Sequence, residues 1–372
     1  MVLAFLVYFF TLGIVFFTSF PIITRNQGIL SKQYYWSINV ILPLFIISFI
    51  FGFRFAVGVD FFSYKNIYEK FHYSYISERH KIEYLYYFLV TFLRYNGFPY
   101  YTMNVVMIFL TYFFIFLFLQ KVKNIDRKWI LFFYFTTGQL FLALNIQRHA
   151  VAIAIFIYSL VYLYRRNFIK YALCLLFGAG FHISILSLLP FYIIFPVFKK
   201  KILYSRTLKY ILITITTIIM INSEKYFFLL MDLFLNIVSF TPYGVHKTYI
   251  FEVMVGVGSG IGIILIYLSG IICIIYSKKL HELFGKWFDI LFFMFLFGLW
   301  GDILSNRFAF FLRFFLPFST LRIIVYSMLV VYLLRSKQMG NYLLAVSFIL
   351  LYTGYFAGQI LMREPYAFVF EV

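Results

Sequence analysis

Against a chain that is 64% hydrophobic, a few polar groups stand at spacings that could do chemistry. In "RFAVGVDFFSY", Arg54 and Asp60 flank Gly58, and Tyr64 follows. A glycine there permits a turn that carries a cation and an acid over a common spot. The plainer outcome is an exposed interfacial ion pair contributing about 0–1 kcal/mol. In "NIQRHAVAIAIF", Gln147 and Arg148 precede a helix carrying Ala150, Ala152 and Ala154, small enough to let a neighbouring helix approach closely. Arg148 must be paired or wet at such a place, as a snorkelling anchor or a binding group, because uncompensated burial costs several kcal/mol. The next residue, His149, can simply face water. His182 in "FGAGFHISIL" is either a hydrogen-bonded core imidazole or a neutral base able to accept a proton from a hydroxyl. Arg307, Arg313 and Arg322 lie in an aromatic-rich segment, and their planar forks of donors suit pyrophosphate. On an ideal helix Arg307 and Arg313 are about 120° apart, so a bend or loop is needed to bring both to one place. Asp302 is close enough in sequence to pair with Arg307.

These groups must be positioned by elements that cross a membrane. The chain has 372 residues, 24% of them aromatic and only 12% charged, with a mean hydropathy of +0.92. Soluble domains carry about a quarter charged residues. Apolar runs long enough for about 30 Å of hydrocarbon recur throughout, which predicts an all-α polytopic membrane protein rather than a barrel of alternating strands. The expected spans are about 2–23, 35–53, 100–120, 129–147, 149–164, 208–222, 253–276, 288–304, 316–334 and 341–361, with a broken pair between 171 and 198. That makes roughly ten to twelve transmembrane helices in one domain over 1–372. The opening run lacks a basic segment and a small-residue cleavage site, and reads as a retained span.

The net charge of +19 lies largely in short connectors: 121–128, 165–170, 199–206, 277–286 and 335–338. This pattern indicates topology anchors at an anionic membrane face, not a nucleic-acid surface. Only about 28 residues separate Lys170 from Lys199, so the intervening segment is a broken or re-entrant pair hinged near Gly178, Gly180 and Pro190. Residues 84–93 are too few to cross and are expected to lie in the interface. The parity that follows places the loops 54–83 and 223–252 on the face away from the cytoplasm, and Arg148, His182 and the segment 306–317 beside them. Cys174 and Cys273 fall inside predicted spans, which argues against a disulfide framework or a metal cluster. "GVGSGIG" (256–262) lacks the third glycine of a dinucleotide fingerprint and is read as close helix packing.

The pattern R-x3-G-x-D-x3-Y at Arg54, Gly58, Asp60 and Tyr64, the "QR" at Gln147 and Arg148, and "FHIS" from Phe181 to Ser184 resemble the EpsG family. These are exopolysaccharide and O-antigen polymerases of the Wzy type. The likeness covers about 40 to 200 in order and spacing, and the carboxy-terminal part more loosely. Val59 stands where such proteins often have Thr, which removes a hydroxyl but leaves the Asp. The resemblance implies a fold related to the lipid-linked-sugar GT-C-type glycosyltransferases. It implies a polymerase in the bacterial inner membrane, with its active site facing the periplasm. The substrates would be undecaprenyl-diphosphate-linked repeat units, with membrane lipids around it and a chain-length regulator as a further partner. It implies no cofactor, no metal and no nucleic acid.

Transfer from a diphosphate requires cations for the leaving group and a base for the attacking hydroxyl. In that scheme Arg148, Arg307 and Arg313 hold diphosphate, Arg54 and Asp60 organise the acceptor end, Tyr64 and Gln147 bind substrate, and either Asp60 or His182 takes the proton. A lipid-linked oligosaccharide flippase or sugar transporter is the main rival, but acidic residues within spans are few and no internal repeat is visible. Another membrane transferase, a glycan ligase or an acyltransferase, is the second.

Overall fold

The computed structural model describes residues 2–19, 37–70, 83–121, 126–194, 205–226, 229, 260–305, 309–362 and 366–369. Its described part is helical apart from one two-stranded antiparallel pairing, and it divides into two compact units, Met1–Tyr192 with Leu333–Val372, and Ile193–Tyr332.

The first unit begins with α1 (Val2–Thr18), α2 (Ile38–Gly52), the short strand β1 (Arg54–Phe55), α3 (Phe61–Glu69), α4 (Tyr84–Tyr95) and α5 (Tyr100–Lys121). It continues through α6 (Arg127–Thr136), α7 (Gln139–Asn145), α8 (Gln147–Tyr164) and α9 (Phe168–Ala179), then a 3-10 turn (Ile183–Leu188) and the first half of α10 (Phe191–Ile194). Helix α8 is the centre, packed between α5 and α9. Ala150, Ala152 and Ala154 are buried there, as their small size requires for close helix approach. Aromatic side chains fill the rest: Tyr8 of α1 meets the rings of Phe51 and Phe141. The span expected over 129–147 is broken into α6 and α7 at Thr137 and Gly138, where the glycine adopts φ +82°.

The second unit holds α11 (Arg206–Ile221), α12 (Ile261–Phe284), α13 (Lys286–Ser305), α14 (Ala309–Thr320) and most of α15 (Arg322–Arg335). Polar groups cross-link it internally. Trp300 Nε1 donates to Thr216 Oγ1 (3.0 Å), His281 Nδ1 meets Asp289 Oδ1 (2.6 Å), and buried Asp302 pairs with Arg322 (3.2 Å) while accepting from Ser319 (2.6 Å). Asp302 therefore pairs with Arg322, while the pairing with Arg307 that the sequence suggested falls on a residue outside the described ones.

The chain then returns to the first unit as α16 (Met339–Leu361) and β2 (Ala367–Phe368), which pairs Phe368 with Arg54 and Ala367 with Phe55. Among the described residues, six helical segments are long and apolar enough to cross a membrane: α5, α8, α12, α13, Arg313–Arg335 and α16. Four further apolar stretches, Val2–Thr18, Ile38–Gly52, Phe168–Ala179 and Ile183–Ile194, are shorter than the roughly 20 residues of a full span. Helix α4 has 12 residues, too few for a full span. Both cysteines are free thiols.

Candidate active site

The turn after α2 explains why Arg54, Gly58 and Asp60 are grouped. Ala56 (φ +53°) and Gly58 (φ +104°) both take left-handed backbone, which costs free energy at the alanine and is readily adopted by the glycine. Arg54 stabilises the turn from inside. Its side chain is fully buried, and Nε, Nη1 and Nη2 donate to the carbonyls of Val57 (3.1 Å), Phe51 (2.7 Å) and Leu144 (2.8 Å). The amide of Asp60 donates to Asn145 Oδ1 at 2.9 Å. A Cβ on Gly58 would lie 3.3 Å from Leu144 O. The turn is thus fastened to the elbow between α7 and α8, where Gln147, Arg148 and His149 begin their helix.

A second fastening brings α4 to the same elbow. The amides of Leu85 and Tyr86 donate to Gly180 O at 2.8 and 3.2 Å, so the turn after α9 caps the start of α4. This seats Glu83, the residue before α4, between two sequence-predicted groups. Its Oε2 lies 2.5 Å from Arg148 Nη1, and its Oε1 lies 2.8 Å from His182 Nδ1. The Arg148 guanidinium also faces the rings of Tyr86 and Tyr64, at 5.2 and 5.9 Å from their centroids. The His149 and His182 rings are 4.3 Å apart, and His149 Nε2 is 3.4 Å from Ser184 Oγ.

The electrostatics follow from this geometry. Burial alone would raise the Glu83 carboxyl, but the hydrogen bond with His182 and the charge of Arg148 outweigh it and hold it below its ordinary value. Burial raises the Tyr64 phenol, against the opposing pull of Arg148. Among the described residues the buried Nε of Arg148 has no hydrogen-bond partner.

The sequence-predicted residues therefore divide. Arg148, Tyr64 and His182 are brought together, and Asp60 directly precedes the helix on which Tyr64 lies, with no side-chain bond to its amides. Arg54 is a clamp on the backbone, and Gln147 is buried with its Nε2 donating to Asn104 Oδ1 (2.9 Å); neither is placed as an exposed substrate-binding group. His149 is buried, not facing water. Arg313 is exposed in the second unit. Arg307, and Asp232, His246 and Lys247 of the predicted loop 223–252, lie outside the described residues. Glu83 was not singled out from sequence. Its signals were its scarcity as one of 13 acidic residues and its place directly before an aromatic helix too short to cross. Among the described residues no group of three or more His, Cys, Asp or Glu is placed to hold a metal ion.

Residues 37–370 match the model of the EpsG family. No curated protein and no solved structure matches the chain. The family match takes in well over half of the 372 residues, the Glu83, Arg148 and His182 cluster among them, and so this membrane protein belongs to the EpsG family, whose members are of the polysaccharide-polymerase kind.

Proposed function

We propose that the protein lengthens a polysaccharide by moving a growing glycan from undecaprenyl diphosphate to the terminal sugar of a lipid-linked repeat unit, at the periplasmic face of the inner membrane. The acceptor hydroxyl oxygen bonds to the anomeric carbon, the bond from that carbon to the diphosphate oxygen breaks, and its electron pair leaves with undecaprenyl diphosphate. The hydroxyl proton goes to a side chain of the site. The observation that carries this reading is the juxtaposition of Arg148, a cation, and His182, an imidazole, on the two oxygens of Glu83. A cation for a departing diphosphate and a proton acceptor for a hydroxyl are the two requirements of the transfer.

Arg148 at the start of α8 holds the leaving diphosphate, assisted by the amide dipoles of that helix end. Tyr64 and the surrounding aromatic side chains pack against sugar faces. No metal or cofactor takes part. The test is replacement of Arg148 or His182 by Ala in the native host: short or single-unit glycans at normal protein level support the reading. Native-length chains at normal protein level reject those roles. A lipid-linked oligosaccharide transporter would instead lose delivery of repeat units to the periplasm, and the purified native protein would build no ladder.

A further inference from the structure

We propose that Glu83 is a positioning residue that holds His182 as the Nδ1-protonated tautomer, so that His182 Nε2, and not the Asp60 carboxylate, receives the proton of the attacking hydroxyl. This rests on the polymerase reading above and assigns its base. An ionised carboxylate only accepts hydrogen bonds. With Glu83 Oε1 2.8 Å from Nδ1, that nitrogen carries the hydrogen, and in the neutral imidazole the lone pair then stands on Nε2. Among the described residues Nε2 has no hydrogen-bond partner, so its lone pair is available to a substrate. Glu83 is kept anionic from its other side by Arg148 on Oε2.

The burial gradient runs the right way. The Glu83 side chain is 14% exposed and that of His182 23%, so the imidazole is the more accessible of the two. The ring is braced as well, by the His149 ring at 4.3 Å with 48° between the planes. When Nε2 takes the hydroxyl proton, the imidazolium forms against an anion already in place, with no reorganisation needed. Asp60 has no such support: among the described residues its carboxylate has no hydrogen-bond or ion-pair partner to orient it. Glu83 also ties the two ends of the reaction together, because one carboxylate touches both the leaving-group cation and the base.

The charged and titratable groups around this pair are Glu83 and Tyr86 from the α4 end, Arg148 and His149 from α8, and Asp60 and Tyr64 from the α3 end. The test uses full-length protein in lipid nanodiscs with ¹⁵N-labelled histidine, the His182 signals being assigned by their loss in His182→Gln. The expected result is a protonated Nδ1 and a bare Nε2 in the native protein, redistributed towards the other tautomer in Glu83→Gln. Glu83→Asp, which keeps the anion, is expected to retain the native tautomer. A protonated Nε2 in the native protein, or a spectrum unchanged in Glu83→Gln, overturns the proposal.

Elongation of lipid-diphosphate-linked repeat units extracted from the native host supplies the second reading. Glu83→Gln is expected to lower kcat by about 10²–10⁴-fold with KM within about threefold, and Glu83→Asp to recover part of the loss. The two failures differ. Native-rate elongation by His182→Gln removes the base assignment whatever the tautomer, whereas an inactive His182→Gln with the wrong native tautomer removes only the role of Glu83. If Glu83→Gln does not fold, the native spectrum alone decides.

Discussion

Gly180→Ala tests whether the docking of α4 on the turn after α9 is what assembles the site. Gly180 has φ −65° and ψ −18°, a conformation any residue adopts, so the substitution adds a methyl without backbone strain. That methyl would sit 2.4 Å from Leu85 Cγ, 2.5 Å from Leu85 Cδ1 and 3.0 Å from Leu85 Cβ. Ordinary carbon contacts are about 3.5–4.0 Å, so the start of α4 must retreat by roughly 1–1.5 Å. Such a retreat breaks the two amide bonds to Gly180 O and pulls Glu83 from His182. Two backbone hydrogen bonds at about 0.5–1.5 kcal/mol each and one charge-assisted bond at about 1.5–3 kcal/mol put the loss at about 2.5–6 kcal/mol. A displacement of about 1 Å in a catalytic group costs on the order of 100-fold in rate. The assays are thermal unfolding in nanodiscs and glycan chain length in the host. Gly354→Ala, where an added methyl meets nothing within 4 Å, is the control and should gain about 0.5–1 kcal/mol. Adding Leu85→Ala removes the clash and should restore much of the loss, a non-additive pair. Native melting and native chain length in Gly180→Ala would refute the docking argument.

Three further outcomes follow from the same structure. Glu83 titrates below its ordinary value of 4.5 when folded, so its contribution to stability is fully present above pH 4.5 and is lost as pH falls through the lower folded value; melting curves of native protein and Glu83→Gln should therefore differ near neutrality and converge in acid. Arg54→Met strands three buried carbonyls at about 1–3 kcal/mol each, and membrane extracts should contain little folded protein, whereas a binding residue would leave protein level untouched. Arg322→Met leaves Asp302 buried without its cation and should destabilise by about 3–5 kcal/mol, while the double change Asp302→Leu with Arg322→Met, read by the same melting assay, should recover most of it.

Composition and run lengths were enough to determine the class: a chain so apolar and so poor in charge can satisfy its backbone in lipid only as helices. The counting of residues also showed that 84–93 cannot cross and that the chain must bend near Gly178 and Gly180, because helix rise per residue is constant. Arg148 and His182 were legible as candidates, since a lone cation or imidazole in apolar surroundings must find a partner. Which partner it finds is not a local property. Glu83 is 65 residues from Arg148 and 99 from His182, and it reaches both only because the start of α4 is capped by Gly180 O. The same holds for Arg54, whose spacing to Asp60 suggested an ion pair until the carbonyl of Leu144, 90 residues away, claimed its guanidinium. Asp302 likewise takes Arg322 from α15. Residue type sets what each polar group requires, and tertiary packing alone decides which distant group supplies it.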